Sequence, residues 1–210
     1  MRSTSMEMRR FVLGEGGKTI VVPAMKGSGE SIASKVFETV PDVPVTILAF
    51  ESDKWFDDFS PWPSEMAGRR FGGRGEHVLN EMEKHAPEGS FIAGYSLGGL
   101  FALWSLYHSK TFAGAACCSG SLWYEGWDAF ADSNSVPPCS SVYLSLGSKE
   151  PRSGRPPMSS IGDCYERQEL RMRSDPGISG FISIREPGNH FTDPDGRLAR
   201  GICWLLTNDY

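Results

Sequence analysis

The chain contains no apolar run approaching the roughly 20 residues a helix needs to cross a bilayer, and Met1 to Arg10 lacks the apolar core of a secretion signal. No membrane association is expected, and the cytoplasm is the expected location. Cysteine is scarce and unpatterned: Cys117, Cys118, Cys139, Cys164 and Cys203 make an odd number, with no C-x-x-C pair and no metal-ligand spacing. These thiols are expected to be reduced, with Cys117 and Cys118 buried as small hydrophobes, and they imply no metal or organic cofactor. An excess of positive charge is also missing. Lys and Arg number 21 against 26 Asp and Glu, a formal net charge of -5, which favours solubility and gives no reason to expect nucleic acid as a partner. The early basic knot of Arg69, Arg70 and Arg74 sits in the glycine-rich Phe71-Gly-Gly-Arg-Gly75 and reads as a solvated loop. Internal repeats and low-complexity segments are lacking too, so the 210 residues are expected to form one domain (1-210) with residues 1-10 as a poorly ordered tail. Oligomeric state leaves no signature.

What the chain does have is a succession of short apolar runs at Thr19 to Pro23, Val45 to Phe50, Phe91 to Tyr95, Phe112 to Cys118, Val142 to Leu146 and Phe181 to Arg185. Most are apolar throughout, as strands covered on both faces must be. Helix-like segments lie between and after them, at about Ser31 to Glu38, Glu76 to His85, Leu97 to Ser109, Ser160 to Arg173 and Gly196 to Leu206. Such alternation predicts an α/β fold, a mostly parallel central sheet with helices on both faces. Chemistry in such a sheet gathers at the carboxyl ends of the strands.

One strand-to-helix junction carries a motif. Phe91-Ile-Ala-Gly94-Tyr-Ser96-Leu-Gly98 is an apolar strand feeding G-x-S-x-G and then an apolar helix, the layout of a nucleophile elbow. A serine hydroxyl is a weak nucleophile in water and becomes useful where a sharp turn presents it to a base. Ser96 is therefore the candidate nucleophile. Of the four histidines, His77 and His85 lie on a polar segment and His108 near the end of the helix after the elbow. His190, in Glu186-Pro-Gly-Asn-His-Phe191 straight after the last strand, is where a base is needed. The acid is expected after the second strand beyond the elbow, and Val142-Tyr-Leu-Ser-Leu-Gly147-Ser-Lys-Glu150 supplies Glu150 there. Asp163 and Asp193 compete for the role, and a serine–histidine pair without a carboxylate is a further alternative. For the oxyanion hole the amide of Leu97 is expected, with that of Met25, in the Pro23-Ala-Met-Lys-Gly-Ser-Gly29 turn, as the second donor.

Two loops are too aromatic for plain linkers: Trp55 and Trp62 lie in one, Trp123 and Trp127 in the other. Either they line an acyl or aryl pocket, with Trp55, Trp62 and Trp123 as candidates to touch substrate, or they close the core over the sheet end.

With Gly94-Tyr-Ser-Leu-Gly98, Gly147 to Glu150 and Gly188-Asn-His-Phe191 together, the chain resembles the α/β-hydrolase superfamily, and within it the small esterases of the esterase D kind. Ser-Pro-Trp62-Pro and Tyr143-Leu-Ser-Leu-Gly147 add to the likeness, which runs from about Thr19 to the C-terminus. The resemblance implies hydrolysis of a small-molecule carboxylic ester without metal or organic cofactor. With little room in the chain for a lid domain, a minimal or absent lid is expected. A thioesterase or peptidase of the same fold, or a binding protein that kept the fold and lost the activity, are the alternatives.

Overall fold

In the computed structural model, which describes residues 6–66, 68–138, 140–152 and 156–208, the apolar runs become strands of one sheet. The chain order is β1 (Glu7–Leu13), β2 (Lys18–Met25), α1 (Gly29–Thr39), β3 (Val45–Ser52), α2 (Trp55–Asp58), β4 (Pro63–Met66), β5 (Arg69–Gly72), α3 (Gly75–Glu83), β6 (Ser90–Tyr95) and α4 (Leu97–His108). It continues with β7 (Phe112–Cys118), α5 (Trp127–Asp132), β8 (Ser140–Gly147), α6 (Ile161–Ser174), β9 (Ile178–Glu186) and α7 (Pro194–Thr207). Seven strands form the sheet in the order β1-β3-β2-β6-β7-β8-β9, all parallel except β1.

Alternate residues of each central strand feed two separate cores. Ile20, Val22, Ala93 and Ala116 pack under α1 and α7 on one face, while Val21, Ile92, Ala115 and Val142 pack under α3, α4, α5 and α6 on the other. This two-sided burial is why the strands read as unbroken apolar runs. In α4 every residue from Leu97 to Leu106 is buried, so it has no polar stripe. Parallel pairing puts the carboxyl ends of β2, β3, β6, β7, β8 and β9 along one edge, and the site described below gathers there.

Two expectations need correction. Residues 7–10 belong to β1 rather than to a tail. That strand pairs antiparallel with β3 from Glu7–Glu51 to Leu13–Val45, and it escaped notice because an edge strand, with half of its residues exposed, needs no apolar run. Arg69 and Arg70 are not in a loop but in β5, which forms a separate hairpin with β4. The segment lacks a strand's apolar signature because only Phe71 is buried against the core. No separate lid covers the sheet edge among the described residues; α2, the β4–β5 hairpin and the loop after β7 stand around it. Cys117, Cys118, Cys164 and Cys203 are free thiols, and burial pushes the Cys118 thiol up to about 12; Cys139 lies outside the described residues.

The junction of β6 with α4 is the tightest point of the fold. A Cβ on Gly94 would lie 2.1 Å from the carbonyl oxygen of Gly98, so strand and helix meet this closely only because Gly94 lacks a side chain. Gly94→Ala should therefore cost about 3 kcal/mol, the upper end of ordinary overpacking. Urea unfolding measures it, and an unchanged midpoint would show that strand and helix separate freely.

Candidate active site

Ser96 stands between β6 and α4 with φ 57° and ψ −120°, a left-handed conformation that costs a non-glycine residue about 1–3 kcal/mol. Hydrogen bonds hold it there. Its N–H donates to the Cys118 carbonyl at 3.0 Å, and its own carbonyl accepts from the amides of Gly99, Leu100 and Ser121 at 3.0–3.1 Å. The outcome is a hydroxyl projected from the sheet edge. His190, from the loop after β9, places Nε2 3.1 Å from Ser96 Oγ, and its Nδ1 lies 2.9 Å from Glu150 Oε2. Because an ionised carboxylate only accepts, Nδ1 carries the proton, leaving Nε2 free to accept from the serine. The structure thus brings together the three residues singled out in the sequence.

Glu150 is buried. Burial alone would raise its pKa, but hydrogen bonds from His190, Ser119 and the Gly147 amide outweigh it and hold the carboxyl below the ordinary glutamate range. Its second oxygen, Oε1, accepts from Ser119 Oγ at 2.7 Å and the Gly147 N–H at 2.8 Å. The competing carboxylates are occupied elsewhere: Asp193 caps α7 by accepting from the Gly196 N–H and pairs with Arg200, and Asp163 is exposed in the first turn of α6.

No family model matches the chain. It is 28% identical over 126 residues to the uncharacterized protein YbbA of Bacillus subtilis (strain 168), a stretch covering 51% of this chain and 50% of that curated relative. Solved structures resemble it over nearly its whole length. An IroE-like serine hydrolase from Shewanella oneidensis superposes with a TM-score of 0.73 at 16% identity, covering 96% of this chain and 80% of that one. The siderophore hydrolase EstB from Aspergillus nidulans gives 0.62 at 16% identity, covering 98% and 96%. MGS-MChE2, an α/β-hydrolase enzyme from the metagenome of Mar Chica lagoon sediments, gives 0.58 at 12% identity, covering 97% and 95%. The fold is that of the α/β-hydrolases.

Within this α/β-hydrolase fold Leu97 and Met25 both border the cleft above Ser96. Leu97 is the first residue of α4, where an N–H has no intrahelical partner. The Lys26 N–H donates to Ser52 of β3 at 3.1 Å, so strand alternation turns the preceding amide, that of Met25, to the opposite side. There the pairing of β2 with β6 has already ended at Val21–Ile92. Buried Glu51 fixes the turn beyond Met25 by accepting from the amides of Gly27 and Gly29 at 2.7 and 2.9 Å.

The cleft measures about 420 Å³ and is walled chiefly by Met25, Trp55, Trp123, Phe191 and Leu198. Trp55 and Trp123 therefore line the cleft. Trp62 does not. Its indole N–H donates to the Glu125 carbonyl at 2.8 Å and its ring packs on Tyr124 and Phe130, because the β4–β5 hairpin carries it away from the cleft and onto the neighbouring aromatic loop. Trp127 is wholly buried, bonded to Gln168. Among the described residues no group of three His, Cys, Asp or Glu side chains is placed to hold a metal ion.

The sequence reading missed Arg197, on α7, which is 0% exposed. Its Nη1 donates to Glu150 Oε1, Ser119 Oγ and Tyr95 Oη, each at 3.1 Å, and its Nη2 to the carbonyls of Pro187 at 2.8 Å and Asn189 at 3.0 Å. Tyr95 in turn donates to the His190 carbonyl at 2.7 Å. One guanidinium thereby ties the acid to the loop that carries the imidazole. A signal was available: Arg197 precedes Gly201 and Leu205 at intervals of four, on the apolar face of its helix, where a charge needs a partner.

Replacing Arg197 by Met, which keeps length and removes every donor, should lower stability by about 3–5 kcal/mol, since it strands a buried carboxylate; denaturant unfolding reads the loss, and a change under about 1 kcal/mol would contradict the clamp. The lowered pKa of Glu150 also fixes a sign. Its ionised form contributes stability above the ordinary value of 4.5, and that contribution disappears as pH falls through the lower value of the folded state. Melting temperatures followed from pH 7 to 3 should therefore drop more steeply below pH 4.5 for wild type than for Glu150→Gln; parallel curves would contradict the assignment.

Proposed function

We propose that the chain is a serine hydrolase that cleaves a small-molecule carboxylic ester through an acyl-enzyme intermediate. The observation that carries this reading is the continuous relay from Ser96 Oγ through His190 to buried Glu150, on a strained turn beside an apolar cleft. Two of the similar structures named above are hydrolases with esterase or serine-hydrolase names, which agrees with the chemistry read from the residues.

In the reaction His190 Nε2 takes the Ser96 proton as Oγ attacks the carbonyl carbon. The negative charge that develops on the carbonyl oxygen is met by the Leu97 and Met25 amides, which are fixed before the reaction and need no reorganisation. Glu150 keeps the imidazole in its tautomer and stabilises the imidazolium. Collapse of the tetrahedral intermediate expels the alcohol, which leaves with the proton from Nε2. Water, deprotonated by the same nitrogen, then attacks the acyl carbon, and the acid departs as Ser96 regains its proton. No step calls on a metal or organic cofactor. Trp55 and Trp123 flank the bound acyl or aryl group. The free thiols, pushed up by burial at Cys117 and Cys118, suit a reducing compartment, and the cytoplasm is the proposed location.

Treatment with a fluorophosphonate, followed by intact-mass analysis, should give one adduct on wild type and none on Ser96→Ala or His190→Ala. Turnover of para-nitrophenyl esters should fall by at least about 10⁴-fold in Ser96→Ala and by about 10²- to 10⁴-fold in Glu150→Gln. Absence of an adduct on folded wild-type protein would overturn the hydrolase reading in favour of a binding protein.

A further inference from the structure

Beside the Ser96 cleft runs a second groove of about 590 Å³, and the two share Met25, Trp55 and Phe56, so they form one continuous depression. The second groove differs in charge. Lys26 reaches it from the turn after β2, Lys54 from the residue before α2, and Arg69 and Arg70 from β5, while only Asp53 and Asp57 line it with the opposite sign. Other cations around the sheet edge are matched: Arg9 with Glu30 and Glu51, Arg74 with Asp58, Arg197 with Glu150, and Arg200 with Glu186 and Asp193. Lys26, Lys54, Arg69 and Arg70 enter no ion pair among the described residues.

The four cations outnumber the two carboxylates of the same concavity, so the groove keeps an excess of positive charge that raises the local potential and favours the entry of an anion. The Arg69 guanidinium lies 3.9 Å from the centre of the Phe56 ring. Stacking occupies the face of the guanidinium and leaves its in-plane N–H groups for a carboxylate or similar planar anion. Phe56 also borders the Ser96 cleft, so the stacked pair stands where one depression passes into the other. Chain topology explains why the grouping was not visible in the linear sequence: Lys26, Lys54 and the basic knot at Arg69–Arg70 are far apart in sequence and share one groove only in the fold.

We infer that the basic groove binds an anionic group of the substrate, so that the ester turned over at Ser96 carries a carboxylate on the Met25 side of its scissile carbonyl. This rests on the hydrolase reading above. The apolar part of such a substrate lies against Trp55, and its charged end lies among Lys26, Lys54, Arg69 and Arg70.

The test compares two para-nitrophenyl esters of equal acyl length, the neutral hexanoate and the half-ester of adipic acid, on wild type, Lys54→Gln and Arg70→Gln. The ratio of kcat/KM for the adipate over the hexanoate ester should fall roughly two- to fivefold with each cation removed, and it should shrink in wild type as salt is raised from 0.05 to 0.5 M. A ratio that neither substitution nor salt alters, with both esters turned over, overturns the anionic subsite and leaves the hydrolase reading in place. Failure to turn over either ester, with no fluorophosphonate adduct, overturns the hydrolase reading instead. Calorimetric titration of adipate itself reads the groove independently of turnover: binding weakened in Arg70→Gln supports the subsite, and no binding to wild type refutes it.

Discussion

The arrangement of Ser96, His190 and Glu150 depends on one buried guanidinium. A charged side chain deep in an apolar helix face is costly unless it is paired and hydrogen-bonded, and both terminal nitrogens of Arg197 are engaged, by Glu150, Ser119, Tyr95 and two carbonyls of the loop holding His190. The partners come from the ends of four strands, β6, β7, β8 and β9. The requirement to satisfy Arg197 therefore sets the distance between the β8 loop and the β9 loop, and with it the line from carboxylate to imidazole to hydroxyl. Backbone hydrogen bonds from Ser148 to Glu186 and from Lys149 to Gly188 lace the same two loops together, so the geometry does not rest on side chains alone.

The same economy holds on the other side of Ser96. Glu51 is buried at the end of β3, where it accepts two amides of the turn after β2 and pairs with Arg9 of the edge strand. Its role toward the Met25 amide mirrors that of Arg197 toward His190: a buried charge, satisfied by a loop, gives the loop a single shape. Strain at Ser96 is tolerable because its neighbours on both sides are held in this way.

Around this rigid centre the environment is divided. On the His190 side Phe191 and Leu198 wall an apolar cleft, and on the far side of Met25 the surface turns basic. An apolar cleft alone favours any acyl group of suitable size, since a methylene contributes little discrimination. On the reading proposed above, a charged groove joined to it would distinguish substrates by a group remote from the bond that breaks.

Much of the architecture was legible in the linear chain, because it follows from local pattern. Strands buried on both faces must be apolar throughout, as Val142 to Leu146 is, and a serine between Gly94 and Gly98 at a strand–helix junction has few structural explanations. Placing His190 and Glu150 beyond strand ends sufficed to pick them out before any distance was known. The signals failed where burial is partial or partners are distant. β1 has half its residues in solvent, the β4–β5 hairpin buries only Phe71, and Trp62 looks like Trp55 in composition but turns the opposite way. The sequence by itself determined the parallel sheet and the elbow, since each depends on residues adjacent in the chain, and it nominated His190 and, among several carboxylates, Glu150. Tertiary structure alone decided that Arg197 clamps the acid to the base, that Trp62 leaves the cleft, and that four scattered cations share one groove. Those outcomes depend on which strand ends lie side by side, and pairings between strands distant in sequence are set by the packing of the whole sheet.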